Sequence, residues 1–333
     1  MSDVIYGLGD IHGRLDLLER AESRIAIAKT KIPANQPSVR LMGDCVDEGP
    51  NSSGVLDKVI TSQLAGLPMQ TMLGNHDIWL VRVVNMIKSN NNACFSWLND
   101  QTLQTIRSYG IKVDSIPKND MEKMKLLLKF ARAVPEEHLL YIQEYMSPLS
   151  IDAGCIFVHA GLDKRRSINH QSIDVCVNGP DIPGGFPESG WNEEMPVVQG
   201  HLVKPAPFVS RNLKIIDLDT NAVETGILTC GIFSNGKIAG FMAITPRNGL
   251  DFVPVIEDDE SIPLPYLRLV AKWWKDVFHA SKEHPVLIFN NEERLKIFCK
   301  LTGLEKYKTA KSSNGFKTRR EFHVMPPISV SKK

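Results

Sequence analysis

Five short segments of the chain combine glycine with side chains that commonly bind metal ions. These segments are Gly9-Asp10-Ile11-His12-Gly13, Gly43-Asp44-Cys45-Val46-Asp47-Glu48-Gly49, Gly74-Asn75-His76-Asp77, Val158-His159-Ala160-Gly161 and Gln199-Gly200-His201. Glycine lets the backbone turn sharply, so the short carboxylate, imidazole and amide side chains could converge. Carboxylate and imidazole donors without thiolates suit manganese, iron or zinc, and one carboxylate can bridge two such ions. The segments therefore predict a centre for two divalent metal ions.

A centre of this kind suits the hydrolysis of phosphate esters. Bound metal ions supply an activated water at neutral pH by lowering its pKa from 15.7 to about 7. The leaving alkoxide also needs a proton, and a positioned imidazole can contribute roughly 10²–10⁴-fold by donating one. His76 directly follows the candidate ligand Asn75, so it is placed for that step.

The elements around these segments predict how they come together. Val4 to Leu8 is a short apolar run typical of a strand, and residues 14–29 carry apolar side chains at helical spacing. The same order of strand, loop and helix recurs from residue 39 and again from residue 69. Three such units predict a largely parallel sheet with helices outside it. Loops at the carboxyl ends of parallel strands meet at one edge, where the site is expected.

The rest of the chain is less regular. Residues 95–146 are predicted to be a helical insertion or cap, and strand character returns after residue 155. Ser234-Asn235-Gly236 predicts a hairpin, which we take to indicate a second sheet. We predict a catalytic domain over residues 1–250, and over residues 251–333 a helical extension with a basic tail.

Composition gives few further indications. The chain of 333 residues is 43% hydrophobic, and its formal charge is only +1, so bulk charge does not favour nucleic acid or a membrane surface as partner. Six scattered cysteines without a paired spacing predict buried thiols in a reducing compartment. The N-terminus runs directly into the first motif, and no apolar run reaches membrane-spanning length. We therefore expect a cytoplasmic protein that lacks a membrane partner.

The ordered motifs resemble those of the phosphoprotein phosphatase family within the calcineurin-like metallophosphoesterases. The likeness is greatest to bacterial Ser/Thr-phosphatase-like members and covers about residues 3–245. It implies an α/β fold, a four-layer αββα sandwich with the helical insertion. It also implies His76 as general acid, oriented by Asp47. The implied metal ligands are Asp10, His12 and a bridging Asp44 for one ion, with Asn75, His159 and His201 completing the other.

One departure from the family concerns substrate binding. Glu48 stands where the family has an arginine that grips the substrate phosphate, and a carboxylate there would repel a phosphate dianion. A second family arginine has no clear match, since residues 171–200 contain no arginine. Asp77 also replaces the usual glutamate. The remaining candidates for substrate contact are Arg82, Lys164, Arg165, Arg166 and Lys204.

The resemblance predicts a Ser/Thr-phosphatase-like enzyme that hydrolyses phosphomonoesters of a phosphorylated protein or a small molecule. Two divalent ions would be its cofactors, with manganese favoured over iron and zinc. A nucleotide or dinucleoside-polyphosphate hydrolase is the first alternative. A binding or regulatory protein with the same fold and little turnover is the second, and Glu48 favours it. Nucleic acid is not an expected partner.

Overall fold

The structure, a computed structural model, describes residues 3–32, 34–163, 165–180, 195–210, 214–249, 255–257, 264–281, 286–288, 292–303, 308–309 and 321–325. Its helices are α1 (Leu15–Lys31), α2 (Ser52–Val59), α3 (Asn75–Lys88), α4 (Asp100–Ser108), α5 (Asp120–Ala133), α6 (Glu136–Leu140), α7 (Ile173–Asn178), α8 (Ala222–Thr225), α9 (Leu264–Ala280) and α10 (Glu292–Thr302). Its strands are β1 (Val4–Leu8), β2 (Pro37–Leu41), β3 (Gln63–Leu64), β4 (Leu67–Thr71), β5 (Leu149–Asp152), β6 (Cys155–Val158), β7 (Val197–Gln199), β8 (Phe208–Val209), β9 (Ile215–Asp217), β10 (Leu228–Ser234), β11 (Lys237–Ile244), β12 (Val255–Glu257), β13 (Val286–Ile288), β14 (Lys308–Thr309) and β15 (Glu321–Met325).

The three predicted strand-loop-helix units form the centre of a six-stranded sheet. Its strand order is β11-β10-β1-β2-β4-β3, with β1, β2 and β4 parallel. The side chains of β1 alternate between two cores, because successive residues of a strand point to opposite faces. Tyr6 and Leu8 pack with the helices on one face, and Ile5 packs on the other. The carboxyl ends of the parallel strands thus share one edge.

The predicted hairpin is present, but it belongs to this first sheet. Asn235 and Gly236 both have positive φ, 51° and 68°, as a tight two-residue hairpin turn requires. β10 then pairs antiparallel with β1, with Leu8 opposite Cys230. The prediction that this hairpin marks a second sheet is wrong. The second sheet has the order β5-β6-β7-β9-β8.

Two sheets and their helices make the mixed α/β fold that the sequence predicts. One core lies between the first sheet and helices that include α1 to α5. A second core joins the facing sides of the two sheets and includes Phe157, Phe233 and Phe241. A third, smaller core lies on the far side of the second sheet and includes Cys176 of α7. The fold class is confirmed.

The insertion and the C-terminal segment complete the described chain. Residues 95–146 contain α4, α5 and α6 and a π-helical turn at Tyr141–Tyr145. The segment after residue 250 is not only helical, because β12, β13, β14 and β15 form a further sheet. Short strands of two to five residues carry too little periodicity to be predicted. Apart from β14 and β15, the predicted basic tail lies outside the described residues.

None of the described helices combines the length and the apolar character that crossing a membrane requires. The six cysteines are unpaired thiols, and all of them are buried except the partly exposed Cys299. Burial raises the pKa of Cys155 and Cys230 to about 12, which keeps these thiols protonated and inert.

Candidate metal centre

Asp44 lies at the centre of the converging loops. Its Oδ2 is 3.6 Å from His12 Nε2 and 3.4 Å from His159 Nε2. Two groups of possible metal donors share this carboxylate, and within each group the donor atoms lie within 4.8 Å of one another. The groups are Asp10, His12 and Asp44, and Asp44, His159 and His201. This is the arrangement expected for one carboxylate between two cations.

The sixth predicted ligand also reaches this position. Asn75 is the first residue of α3, and its Oδ1 lies 3.0 Å from His159 Nε2. The structure therefore brings together all six residues that the sequence predicts as ligands. They come from the carboxyl ends of β1, β2, β4, β6 and β7.

Backbone carbonyls orient two of the imidazoles. The Nδ1 of His12 donates to the Val46 carbonyl at 2.9 Å, and the Nδ1 of His159 donates to the Met42 carbonyl at 2.8 Å. A carbonyl oxygen can only accept, so each bond fixes the proton on Nδ1. The Nε2 atoms that face Asp44 are left for another partner, as in metal-bound histidines.

The centre holds more buried negative charge than the protein neutralises. Within the described part of the chain, Asp10 Oδ1 is buried and has no hydrogen-bond partner, while its Oδ2 accepts from the His201 amide at 2.9 Å. Burial, together with the carboxylates of Asp219 and Asp44, raises the pKa of Asp10 well above its usual range. A buried carboxylate group of this kind calls for a cation. The residues present therefore fit divalent metal ions.

His201 fits the same purpose as a neutral ligand. Burial and the neighbouring His159 lower the pKa of His201 to about 4. Its imidazole is therefore uncharged at neutral pH, and only the uncharged ring can offer a lone pair to a metal ion. The rings of His159 and His201 lie with centroids 5.0 Å apart.

Hydrogen bonds hold the loops in register. The amides of His12 and Gly13 donate to the carbonyls of Asp44 and Cys45, at 2.8 and 2.9 Å. Asp77 is fully buried, and its two oxygens accept from the amides of Cys45 and Gly74, at 2.9 and 3.1 Å. Asp77 thus ties the second loop to the third.

The site loops hold unusual backbone conformations. Residues other than glycine rarely adopt positive φ, and each such residue costs about 1–3 kcal/mol. The site contains five such residues: His12 (40°), Asp44 (47°), Asp47 (67°), Glu48 (62°) and His201 (66°). Close approach adds to this constraint, because a Cβ on Gly200 would collide with the Asp10 carboxylate and one on Gly74 with Asp44.

His76 and Asp47 form a hydrogen-bonded dyad beside the donors. His76 Nδ1 lies 2.9 Å from Asp47 Oδ2, and the His76 amide donates to Asp44 Oδ1 at 3.0 Å. Burial opposes charge on the ring, but the hydrogen bond to Asp47 and the charges of Asp44 and Asp47 raise the pKa of His76 to about 9. The side chain is 28% exposed, so a substrate can reach it. The ring can therefore serve as a proton donor at neutral pH.

Thr105 and Ser52 position this dyad, and the sequence analysis did not predict them. Thr105 Oγ1 donates to Asp47 Oδ1 at 2.7 Å and accepts from the Asp47 amide at 3.0 Å. Ser52 Oγ lies 3.1 Å from both that amide and Thr105 Oγ1. Thr105 belongs to α4 and lies between the buried Leu103 and Ile106. The sequence feature that could have indicated Thr105 is a hydroxyl side chain on the apolar face of a helix.

Asp219 is a second residue that the sequence analysis missed. It is buried two residues beyond β9, at the same edge as the other loops, and its Oδ1 accepts from the Asn221 amide at 2.9 Å. Its carboxylate contributes to the raised pKa of Asp10. The rule that polar residues follow parallel strands would have found it.

Glu48 faces the centre. Its carboxylate lies within 4.8 Å of donor atoms of His12 and His76, and it accepts from Gln101 Nε2 at 3.2 Å. The structure thus brings this substrate-contact candidate to the dyad. A phosphate bound between the loops would meet its negative charge.

The side chains of the basic candidates contact groups other than the metal donors, although the Lys204 amide donates to the Asp219 carbonyl at 3.0 Å; Lys164 lies outside the described residues. Arg165 pairs with both oxygens of Asp163, at 2.9 and 3.0 Å, and Arg166 lies 3.7 Å from the same carboxylate. The Arg82 guanidinium lies 5.7 Å from the centroid of the Trp79 ring. Lys204 Nζ lies 5.9 Å from the centroid of the Phe208 ring. Their roles in substrate binding stay predictions.

Comparison with known proteins finds partial similarity to phosphoesterases. No protein-family model matches it. Over 84 residues, 25% of the chain, it is 33% identical to a symmetrical bis(5'-nucleosyl)-tetraphosphatase from Delftia acidovorans. The chain covers 27% of the length of that curated relative. This match agrees with the predicted metallophosphoesterase resemblance at its coarsest level.

Several solved structures are similar over much of the chain. One is provisionally described as a diadenosine tetraphosphatase, with 20% identity, a TM-score of 0.47, and coverage of 72% of this chain and 93% of that one. A metallophosphoesterase from Sphaerobacter thermophilus has 15% identity, a TM-score of 0.38, and coverage of 74% and 90%. A protein serine/threonine phosphatase from Saccharomyces cerevisiae has 12% identity, a TM-score of 0.39, and coverage of 73% and 79%.

Proposed function

We propose that the chain is a two-metal phosphoesterase that hydrolyses its substrate with water. The observation that carries the proposal is the Asp44 carboxylate shared by two groups of donors, with the His76–Asp47 dyad beside it. Divalent ions held by the six predicted ligands would supply Lewis acidity and an activated water. Manganese is the proposed ion, with iron and zinc as alternatives for the same donors.

His76 is the proposed general acid. Asp47 accepts from Nδ1, so the opposite nitrogen of the charged ring presents its proton to the leaving oxygen. Thr105 donates to the Asp47 carboxylate and restricts its rotation, while Ser52 accepts from the Asp47 amide. The dyad therefore combines a fixed direction with a raised pKa.

The substrate we propose first is a phosphomonoester, as in Ser/Thr phosphatases. A nucleotide or dinucleoside polyphosphate is the second candidate, and two observations favour it. The first is the sequence match to a bis(5'-nucleosyl)-tetraphosphatase. The second is Glu48, because its carboxylate repels the doubly charged phosphate of a monoester more than a singly charged internal phosphate of a dinucleoside polyphosphate.

Metal analysis and a substrate panel test the proposal. The panel should contain a phosphoserine peptide, an aryl phosphate, ADP and diadenosine tetraphosphate. We expect two ions per chain and turnover of at least one substrate. If the chain binds two ions but hydrolyses no substrate of the panel, the proposal is contradicted and a binding or regulatory role is favoured.

The variant His76→Ala tests the role of the dyad. Loss of the general acid should lower kcat by roughly 10²–10⁴-fold for a poor leaving group such as serine, and much less for an aryl phosphate, which needs little protonation. His170→Ala is the matched control, because that exposed imidazole hydrogen-bonds to Ser167 in its own turn and to no other residue that the structure describes. Equal losses of kcat on both substrates would show that His76 is not the general acid.

A further inference from the structure

A cavity of about 500 Å3 lies beside β11, the terminal strand of the first sheet, and none of the metal donors lines it. It is bounded by α1, by α9 and by the residues that follow β11. β11 is the outermost strand of its sheet. α1 and α9 approach each other past this strand, where Arg24 donates to Asp276 Oδ2 at 2.8 Å. Among the described strands, none pairs with the outer side of β11, and the cavity opens there.

Positive charge dominates the lining. Arg20, Arg24 and Arg247 contribute guanidinium groups, and Asp276 is the one acid among the described residues of the lining. Asp276 is already paired with Arg24, whereas Arg20 and Arg247 have no hydrogen bond or ion pair among the described residues. The lining thus carries a net charge of +2 when His279 is neutral.

One opposing contribution comes from α9, which ends at the cavity with Ala280. The carbonyl end of a helix carries only about half a negative charge, and it is screened by solvent. The two unpaired guanidinium groups outweigh it. The cavity is therefore suited to an anion.

The size and the donors specify the kind of anion. Small-molecule sites commonly have about 300–1,000 Å3, so the cavity is large enough for more than a simple ion. Each planar guanidinium can bind one phosphate through two parallel hydrogen bonds. Two unpaired arginines therefore match two phosphates. Thr245, Asn248 and His279 add further hydrogen-bonding groups for the rest of a ligand.

We propose that this cavity binds a small molecule with two linked phosphates, with Arg20 and Arg247 holding one phosphate each. The site is separate from the metal centre, since its lining contains none of the metal donors or dyad residues. β11 runs parallel to β1, because both are antiparallel to β10. Its carboxyl end therefore lies at the same sheet edge as Asp10, two strands away. A ligand in the cavity borders the sheet that carries the metal donors.

Hydrogen exchange measured by mass spectrometry localises such binding in the full, metal-loaded chain. The probe is α,β-methylene-ADP, which resists hydrolysis between its phosphates, and inorganic phosphate is the comparison anion. We expect the methylene analogue to slow exchange in peptides that cover residues 241–249 and 276–281. Peptides around Asp44 and Asn75 report binding at the metal centre separately in the same experiment.

Variants of the two arginines decide the assignment. Arg247→Gln should weaken protection of residues 241–249 by the analogue about tenfold or more in Kd, and the added Arg20→Gln should abolish it. Arg132→Gln on α5 is the matched control, because it removes the same charge outside the lining and should leave the Kd unchanged. Thermal unfolding of each variant verifies that it is folded.

Three results would overturn the proposal. The first is protection confined to peptides of the metal centre. The second is an unchanged Kd in folded Arg20→Gln/Arg247→Gln protein. The third is equal protection by inorganic phosphate at the same concentration, because a site for a diphosphate must prefer two linked phosphates to one.

Discussion

Replacing Thr105 with valine is the sharpest test of how the dyad is held in place. The substitution exchanges one hydroxyl for a methyl group of similar size at a fully buried position. It removes the donor to Asp47 Oδ1 at 2.7 Å and one of the two hydroxyl oxygens close to the Asp47 amide. The contact with His76 is not touched directly.

The size of the effect follows from the charge of the acceptor. Asp47 is buried, and hydrogen bonds to charged groups contribute about 1.5–3 kcal/mol. We expect the free energy of unfolding to fall by about that amount. In kcat, we expect a loss of about tenfold for a phosphoserine substrate, equivalent to about 1.4 kcal/mol. This is smaller than the roughly 10²–10⁴-fold loss expected when the general acid itself is removed.

Steady-state kinetics on a phosphoserine peptide and an aryl phosphate give the assay. If Thr105 only positions the acid, the loss in kcat should be confined to the poor leaving group, and Thr105→Ser should restore it. Thr229→Val is a matched control, because it removes another buried hydroxyl, bonded to Thr220 and Trp273. It should lower stability without changing the ratio of the two rates. Equal losses on both substrates, or no rescue by serine, would refute the reasoning.

Three further substitutions address the centre. Asp44→Asn should reduce binding of both metal ions, because both donor groups share this carboxylate. If mass spectrometry still finds two ions per chain in the variant, the Asp44 carboxylate is not a bridging ligand. Glu48→Arg should lower the inhibition constant of inorganic phosphate about tenfold or more, and Glu48→Gln should lower it less. An unchanged inhibition constant in both variants would mean that residue 48 does not contact the substrate. Gly200→Ala should lower both the Tm and the metal content, since its Cβ would collide with the Asp10 carboxylate. Gly110→Ala is a control without a collision, because a Cβ there meets open space although its φ is positive, and losses as large as those of Gly200→Ala would contradict the collision.

The sequence predicts the parts of the fold that depend on local periodicity. The units built on β1, β2 and β4 follow from apolar runs and helical spacing within about 30 residues each. The placement of the hairpin does not follow from such patterns. β10 pairs with β1 across most of the described chain, with Leu8 opposite Cys230, and a turn sequence carries no information about that distant partner.

The candidate site shows the same division. The six predicted donors come from two sheets, and the carboxyl ends of the parallel strands in each sheet bring their loops to a common side, of which the sequence predicts only the part in the first sheet. Thr105 could not be predicted in the same way, since its contact with Asp47 depends on where the insertion packs. The pairing of Arg165 with Asp163, two residues away, shows that an arginine close to a motif can be engaged within its own loop.

Positive φ angles in the site loops affect how long the protein survives in a cell. These angles occur at His12, Asp44, Asp47, Glu48 and His201. Strained loops around crowded carboxylates make the metal-free form less stable than its cores alone would allow. An ion present at one hundred times its Kd would add about 2.7 kcal/mol to the free energy of unfolding. A difference of that size changes the unfolded fraction, and with it the exposure to proteases, by about a hundredfold. When the metal is scarce, the protein should therefore have a shorter half-life. Its abundance should then fall together with the activity of each molecule.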